Sequence, residues 1–197
     1  MNSALIHLGY KGGTYHYSKA HIPYLKPKLL VCSKDLKIED YKEIRVSNFQ
    51  QIRTYKKISS LLFLSLFLPF ELIIFFFKCY KNSIRTVFIL DMHPWSCMFS
   101  LASRIFGMKV LVVVHDGINA NKNKFGEISL LLQKISIFSA SHLFFLSEIV
   151  QKDTLKKLNI PDTIPTAFFP LPPWDFVKSR NFRNNFEIDN QIPRFLF

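Results

Sequence analysis

Residues 86–116 constrain the fold of this chain more than any other segment. They contain two apolar runs rich in β-branched residues, TVFIL and KVLVVV, separated by the helically spaced segment SCMFSLASRIFG. Strands that are apolar on both faces, and that are joined by a crossover of helix length, are typical of neighbouring parallel strands in an α/β sheet. The sequence therefore predicts a strand-helix-strand unit in which a histidine follows each strand.

The two histidines of this unit are candidate site residues. The carboxyl ends of parallel strands open into a crevice lined by loops, and His93 and His115 both fall at such ends. A neutral imidazole can act as a base or as a hydrogen-bond donor near neutral pH, and a neighbouring carboxylate can orient it. We therefore predict a catalytic role for His115 and Asp116 and a substrate-binding role for His93. A structural turn or cap is the alternative for each.

The rest of the chain repeats this alternation. Apolar runs bounded by turn residues predict strands, and longer periodic segments predict helices. In chain order, the predicted elements are a strand at 4–8, a helix at 14–22, strands at 28–33 and 43–47, a helix beginning near Asn48 and, after the central unit, a helix at 125–138, a strand at 142–147 and a helix at 148–158. This order predicts an α/β fold with a doubly wound, mostly parallel, Rossmann-like sheet.

A glycine-rich turn follows the first predicted strand. Gly9, Gly12 and Gly13 would let backbone N–H groups approach a phosphate at the start of the next helix, which makes Gly12 and Gly13 candidate substrate-binding residues. Their spacing does not match the G-x-G-x-x-G pattern of dinucleotide sites, which disfavours a nucleotide-binding oxidoreductase. A turn that simply requires positive φ is the alternative interpretation.

The net charge and the cysteines limit the classes of partner and metal site that the chain is expected to have. A net charge of +12 favours an anionic partner, but the basic residues are dispersed and lack the patterns of nucleic-acid-binding proteins, so we expect no nucleic acid. The three cysteines, Cys32, Cys79 and Cys97, lack metal-ligand spacing and predict buried free thiols, with no metal site. We expect no cofactor. The first residues lack the features of a signal peptide, which predicts a cytoplasmic protein.

Residues 61–77 form the most apolar segment, LLFLSLFLPFELIIFFF, with lysines on both sides. The run is shorter than the ~20 residues that span a bilayer, and Pro69 and Glu71 interrupt it. Spanning would also separate the strands of one sheet onto opposite sides of the membrane. The segment is therefore expected to be a helix that is buried, with a kink at Pro69, or that lies on a membrane surface among acidic headgroups.

The composition changes near the end of the chain. Residues 161–175 contain five prolines, which excludes a helix and indicates an extended crossing segment. We predict one domain over residues 1–173, and over residues 174–197 a linker followed by the start of a second, missing domain at PRFLF.

Three features together resemble the N-terminal, acceptor-side domain of GT-B glycosyltransferases, in particular the family 4 group that builds bacterial surface polysaccharides. They are the turn at Gly12 and Gly13, the segment DMHPW…LASRIFGMKVLVVVHD, and the segment SASHLFFLSEIVQKDTLKKLNIP before the proline-rich crossover. The resemblance runs from the N-terminus to about residue 173.

The resemblance implies a function. Such enzymes bind a nucleotide-sugar donor, as substrate, between two domains and transfer the sugar to an acceptor that is often a lipid-linked saccharide at the cytoplasmic membrane face. By this resemblance His115 lies near the transferred sugar, Gly12 and Gly13 face the donor phosphates, and residues 61–77 suit a protein peripheral to the inner face of the plasma membrane. The family's second domain, with its Glu-x7-Glu pattern, is missing, so we expect negligible transfer by this chain alone.

A second class of function remains open on the sequence. A non-catalytic remnant or binding module that docks to a membrane or to a partner protein through residues 61–77 would carry the same apolar segment. The two interpretations differ in whether His115 is needed for sugar transfer.

Overall fold

The computed structural model describes residues 2–9, 12–36, 46–54, 63, 65–115, 124–161 and 163–168. These residues form strands and helices that alternate along most of their length. In chain order the elements are β1 (Ser3–His7), α1 (Gly12–Leu25), β2 (Leu29–Ser33), β3 (Asn48–Ile52), α2 (Leu68–Lys81), β4 (Thr86–Ile89), α3 (Pro94–Ile105), β5 (Lys109–Val114), α4 (Lys124–Ser139), β6 (His142–Phe145), α5 (Glu148–Leu158) and β7 (Thr166–Phe168).

The strands of this described part form one parallel sheet in the order β3-β2-β1-β4-β5-β6-β7. β1 pairs with β2 on one side and with β4 on the other, so the strand order reverses between β1 and β4. The α/β class and the doubly wound Rossmann-like sheet predicted from the sequence are confirmed. In such sheets ligands bind beyond the carboxyl ends of the strands at the point of reversal.

Alternation of side chains along the strands divides the core into two layers. On one face, Ile6, Val31 and Ile89 pack with the helices α2, α3 and α4. On the other face, their chain neighbours Leu5 and Leu30 pack against α1, together with Phe88 and Leu111. Because successive strand residues point to opposite faces, strands that are buried on both sides must be apolar throughout, which is why β4 and β5 were recognisable in the sequence.

The central unit forms β4, α3 and β5 as predicted. α3 begins at Pro94, where proline is tolerated because the first N–H groups of a helix have no intrahelical partner. It ends before Gly107, whose φ of 71° lies in the left-handed region that glycine adopts at little cost. The chain then turns directly into β5.

The third strand lies later in the chain than the sequence predicted. Residues 43–45 lie outside the described residues, and residues 46 and 47 are not in a strand. The pairing segment is Asn48–Ile52, in register with β2, so the predicted helix start near Asn48 is wrong. The sequence NFQQI is too polar to suggest a strand, but Gln50 Nε2 donates to Glu71 O at 2.8 Å and Lys78 Nζ donates to Phe49 O at 2.8 Å. Helix α2 therefore supplies the polar partners of this edge strand.

In the described part of the apolar segment, residues 63 and 65 are helical, residues 66 and 67 form a turn, and residues 68–77 form the start and body of α2. Pro69 occupies the first turn, so the predicted kink there is wrong: the proline initiates the helix instead of bending it. The inner face carries the buried residues Leu68, Phe75 and Cys79. The outer face exposes a row of apolar side chains that includes Ile73 at 65% and Phe77 at 66% exposure. One face of α2 is therefore buried, as the first interpretation predicts, and the other face exposes apolar side chains. Docking of that face on a membrane surface stays a prediction.

Among the described residues, no helix combines the length and the apolar character needed to cross a bilayer. The three cysteines are buried and form no disulfide, as predicted. Residues 169–197 lie outside the described residues, and with them the predicted domain boundary and the predicted strand at PRFLF.

Candidate functional site

The candidate site lies at the carboxyl edge of the sheet, where the strand order reverses between β1 and β4. β1 leads into Gly9, β4 leads through Leu90 into Asp91, and β5 leads into His115. The first residues of α1 and α3 also lie at this edge, because each helix follows a strand of the sheet. Parallel pairing thus gathers residues that are distant in sequence around one crevice.

Asp91 is the centre of the hydrogen bonding in this crevice. The residue is 3% exposed, and its Oδ2 accepts hydrogen bonds from the backbone N–H groups of Leu8 and of Gly9, the latter at 2.6 Å. Its Oδ1 accepts from the hydroxyl of Ser96 and from the backbone N–H of His93. One carboxylate therefore joins the end of β1 to the start of α3.

His7 places a second polar side chain against this carboxylate. Its Nδ1 lies 3.3 Å from Asp91 Oδ2, and both residues are buried. Burial alone would raise the pKa of Asp91, but hydrogen bonding and charge from His7, together with donation from Ser96, hold it well below its usual range. Asp91 therefore stays ionised at neutral pH and supplies a fixed negative charge beneath the crevice.

His93 forms the N-cap of α3. Its Nδ1 accepts a hydrogen bond from the backbone N–H of Trp95 at 3.2 Å, which satisfies one of the free donors of the first turn. Burial lowers the pKa of His93, more than the charge of Asp91 raises it, and the neighbouring His7 lowers it further. The imidazole is thus neutral at neutral pH, with Nδ1 as its acceptor nitrogen and Nε2 carrying the proton.

His115 follows β5 directly and reaches across to β4. Its Nε2 lies 2.7 Å from the carbonyl oxygen of Leu90, so this nitrogen carries the proton and donates. In the neutral ring Nδ1 is then the unprotonated nitrogen, the one that could accept a proton. The carbonyl of Leu90 fixes the orientation of the ring at the crevice.

Tyr17 of α1 packs against this histidine, and His21 packs against Tyr17. The rings of Tyr17 and His115 meet edge to face with centroids 4.2 Å apart, and the ring of His21 lies tilted against that of Tyr17 with centroids 4.0 Å apart. His21 Nδ1 lies 2.9 Å from the carbonyl oxygen of Tyr17. Burial raises the pKa of Tyr17, so its hydroxyl stays protonated at neutral pH. α1 therefore forms an aromatic wall on one side of His115.

The other predicted site residues are placed as follows. Gly12 and Gly13 are the first residues of α1, at the carboxyl edge of β1, where the helix dipole and unsatisfied N–H groups favour an anion. Asp116 lies outside the described residues. The structure thus brings His93, His115 and the start of α1 to one edge of the sheet, and the catalytic and substrate-binding roles remain predictions.

Sequence reasoning assigned no role to Asp91, Tyr17 or His21. Asp91 carried a usable signal, because an acid directly after a fully apolar strand falls at the ligand-binding edge of a parallel sheet. Tyr17 and His21 carried none, since their spacing of four residues is equally compatible with an ordinary helix face. Among the described residues, no cluster of three or more His, Cys, Asp or Glu side chains is arranged to hold a metal ion.

Comparison with known proteins finds similarity at the level of structure. Anabaena Alr3699/HepE in complex with UDP and glucose has a TM-score of 0.60 and 10% identity over 87% of this chain and 44% of that one. The same protein in complex with UDP-glucose has a TM-score of 0.56 and 9% identity, again over 87% and 44%. UDP-N-acetylglucosamine 2-epimerase from Rickettsia bellii has a TM-score of 0.57 and 13% identity over 84% and 44%.

These likenesses show a GT-B-like α/β fold. At 9 to 13% identity they show the fold alone, and the chain spans 44% of the length of these structures. No family model matches the chain, and no curated protein matches it by sequence.

Proposed function

We propose that this chain is the acceptor-side half of a glycosyltransferase that moves a sugar from a nucleotide-sugar donor to a lipid-linked or polysaccharide acceptor in surface polysaccharide synthesis. The observation that carries the proposal is the position of His115: an oriented imidazole, with Nδ1 as its basic nitrogen, at the carboxyl edge of a GT-B-like sheet. The printed names of the similar structures, which include UDP, glucose and UDP-glucose, support a nucleotide-sugar as the donor.

The arrangement suits transfer of a sugar to a hydroxyl group. An incoming hydroxyl needs a base within hydrogen-bond reach or a donor that stabilises charge near the transferred sugar. His115 offers the base, and the first N–H groups of α1, at Gly12 and Gly13, offer donors for phosphate oxygens. The buried negative charge of Asp91 fixes the ends of β1 and β4 between which such a substrate would lie.

A second domain is part of the proposal. The chain spans 44% of the length of the similar structures. This supports a donor-binding domain that lies outside residues 1–197. The departing diphosphate must be stabilised by donors from that half. We therefore propose that residues 1–197 alone transfer sugar negligibly. We also propose that the complete enzyme, which includes the second domain, belongs to the family 4 group.

Membrane association at the cytoplasmic face is the third part. The outer face of α2 exposes Phe70, Ile73 and Phe77, and Lys81 follows them at the end of the helix. Apolar side chains bordered by cations are what an interfacial helix presents to anionic lipid. The same face favours the second candidate function, a non-catalytic module that docks to a membrane or partner protein.

Sugar transfer tests the first function against the second. The full chain is combined with the donor-binding domain of a GT-B enzyme, and transfer of radiolabelled glucose from UDP-glucose to lipid extract is measured. We expect His115→Ala to lower transfer by about 10²-fold or more, as loss of an acid-base group does, with the fold retained. His142→Ala is the matched control, because His142 begins β6 at the opposite edge of the sheet. Equal transfer by wild type and His115→Ala contradicts the proposed role.

A further inference from the structure

A cavity of about 310 Å³ lies at the carboxyl edge of β2 and β3, beside the candidate site. Its walls come from the residues that follow the two strands, from the start of α2 and from the start of α3. The volume falls at the lower end of the range of about 300–1,000 Å³ for small-molecule sites. The described site residues His93 and His115 are not among its lining residues, so the cavity is a separate feature.

Two cations are among the lining residues of the cavity. Lys34 follows β2 and Arg53 follows β3, and the backbone N–H of Lys34 donates to the carbonyl of Ile52 at 2.8 Å. Ser33 pairs with Ile52 in the parallel register, so Lys34 and Arg53 each follow directly after one of two paired strand ends. Both positive charges therefore belong to residues that line the same cavity.

One carboxylate also lines the cavity, and the structure shows how it is held. Glu71 Oε2 accepts a hydrogen bond from Gln50 Nε2 at 3.0 Å, and the same amide donates to the backbone carbonyl of Glu71. The carboxylate is thus hydrogen-bonded to the side chain of Gln50 on β3. With two cations and one anion, the lining carries a net charge of +1.

The other lining residues of the cavity are apolar. Phe63 and Phe67 pack edge to face with centroids 5.4 Å apart, and both are exposed. Ile52, Leu68 and the buried ring of Trp95 are the remaining three. Phe67 directly precedes α2, so the apolar lining continues onto the exposed outer face of that helix.

We propose that this cavity binds the phosphate-bearing end of a membrane lipid with a long alkyl or prenyl chain. The phosphate lies between Lys34 and Arg53, and the first carbons of the chain lie over Phe63 and Phe67 before leaving across α2. Charge-assisted hydrogen bonds from a lysine and an arginine suit phosphate oxygens, and aromatic rings suit the chain. This inference rests on the proposed function, because it supplies the place where a lipid-linked acceptor would be held.

The probe is farnesyl phosphate, titrated into the full chain below its micelle concentration and followed by calorimetry. Farnesol and inorganic phosphate are the matched ligands that lack one half of the chemistry. We expect farnesyl phosphate to bind about tenfold or more tightly than either, because each lacks contacts that the cavity offers. Equal binding of farnesol overturns the phosphate site, and equal binding of inorganic phosphate overturns the lipid.

Charge-removing variants locate the binding. We expect Lys34→Gln and Arg53→Gln each to weaken farnesyl phosphate binding by about tenfold. The matched controls are Lys109→Gln and Arg85→Gln, which remove the same charges from exposed residues at the opposite edge of the sheet and are expected to change binding by about twofold or less. Thermal melts check that all four variants fold. Loss of binding in the controls as well as in the cavity variants overturns the proposal, as does no binding by the wild type.

The result is separable from the sugar-transfer experiment. If farnesyl phosphate fails to bind while transfer still depends on His115, the cavity proposal is wrong and the proposed function stands. If it binds with the expected dependence on Lys34 and Arg53 while transfer does not depend on His115, the cavity is a lipid phosphate site of a non-catalytic module.

Discussion

Asp91 Oδ2 accepts a hydrogen bond at 2.6 Å from the backbone N–H of Gly9, which lies 82 residues earlier in the chain. This hydrogen bond joins the turn after β1 to the turn after β4, and both turns border the point where the strand order reverses. The shape of the candidate site therefore depends on one buried side chain that need not touch a substrate.

Asp91→Asn tests how much this contact stabilises the fold. An amide cannot accept from all of the donors around Asp91, and it removes the charge facing His7. We expect the free energy of unfolding in urea to fall by about 3 kcal/mol, as when one partner of a buried polar pair is removed. Asp153→Asn, which breaks the exposed pair with Lys157, is the control and is expected to cost about 1 kcal/mol or less. Equal losses in the two variants would contradict the role of Asp91.

His93 predicts a pH dependence of stability. Its pKa in the folded protein lies below the value of about 6.5 in the unfolded chain, so between the two values the unfolded chain binds more protons. Stability contributed by the neutral imidazole is therefore complete above about pH 6.5 and is lost as the pH falls. His93→Asn keeps an N-cap side chain but does not titrate, and we expect it to show a smaller loss of stability on acidification.

His93→Ala separates capping from titration. It removes both the cap of α3 and the titrating group, so it is expected to cost about 1 kcal/mol near neutral pH, where His93→Asn costs less. Urea denaturation at several pH values measures both effects. An unchanged pH dependence in both variants would show that His93 does not contribute.

The two faces of α2 predict losses of very different size for the same substitution. Phe75 is fully buried and packs edge to face on Phe99 with centroids 5.1 Å apart. We expect Phe75→Ala to lower the free energy of unfolding by about 3–5 kcal/mol. Phe77→Ala, two residues along and 66% exposed, is expected to lower it by about 0.5 kcal/mol or less. Similar losses at both positions would mean that the outer face is also covered.

Vesicle binding tests the outer face of α2. We expect the protein to sediment with phosphatidylglycerol-containing vesicles, more weakly as salt increases and more weakly still with phosphatidylcholine alone. Ile73→Gln is expected to weaken binding by about tenfold because it removes an inserted apolar side chain. Ile149→Gln is the matched control, since Ile149 is an exposed isoleucine on α5. Equal effects of the two substitutions would exclude α2 as the docking helix.

Sequence periodicity predicted the elements whose burial is visible in their own apolar pattern. After their first residues, Thr86 and Lys109, β4 and β5 are apolar because both of their faces are covered, and that pattern is local. β3 escaped prediction because its stability depends on side chains of α2, such as Lys78, that bond to it from 29 residues away. A polar edge strand of this kind carries no local signal.

The candidate site was predicted to a similar extent. The rule that ligands bind at the carboxyl edge located His93 and His115 correctly at that edge, because only strand ends are needed to apply it. The role of Asp91 depends on which strands are neighbours, and the reversal between β1 and β4 is a property of the whole sheet. The packing of Tyr17 on His115 likewise joins residues 98 positions apart, as their numbers show.

The central position of β1 has a consequence for synthesis of the protein. β1 is made first, but its partner β4 begins at Thr86, so one edge of β1 has no strand to pair with until about 80 further residues have been added. At about 5–20 residues per second this interval lasts roughly 4–16 s. During it the apolar faces of β1 and β2 are open to other chains, so a ribosome that pauses before β4 would prolong the period in which the nascent chain needs a chaperone.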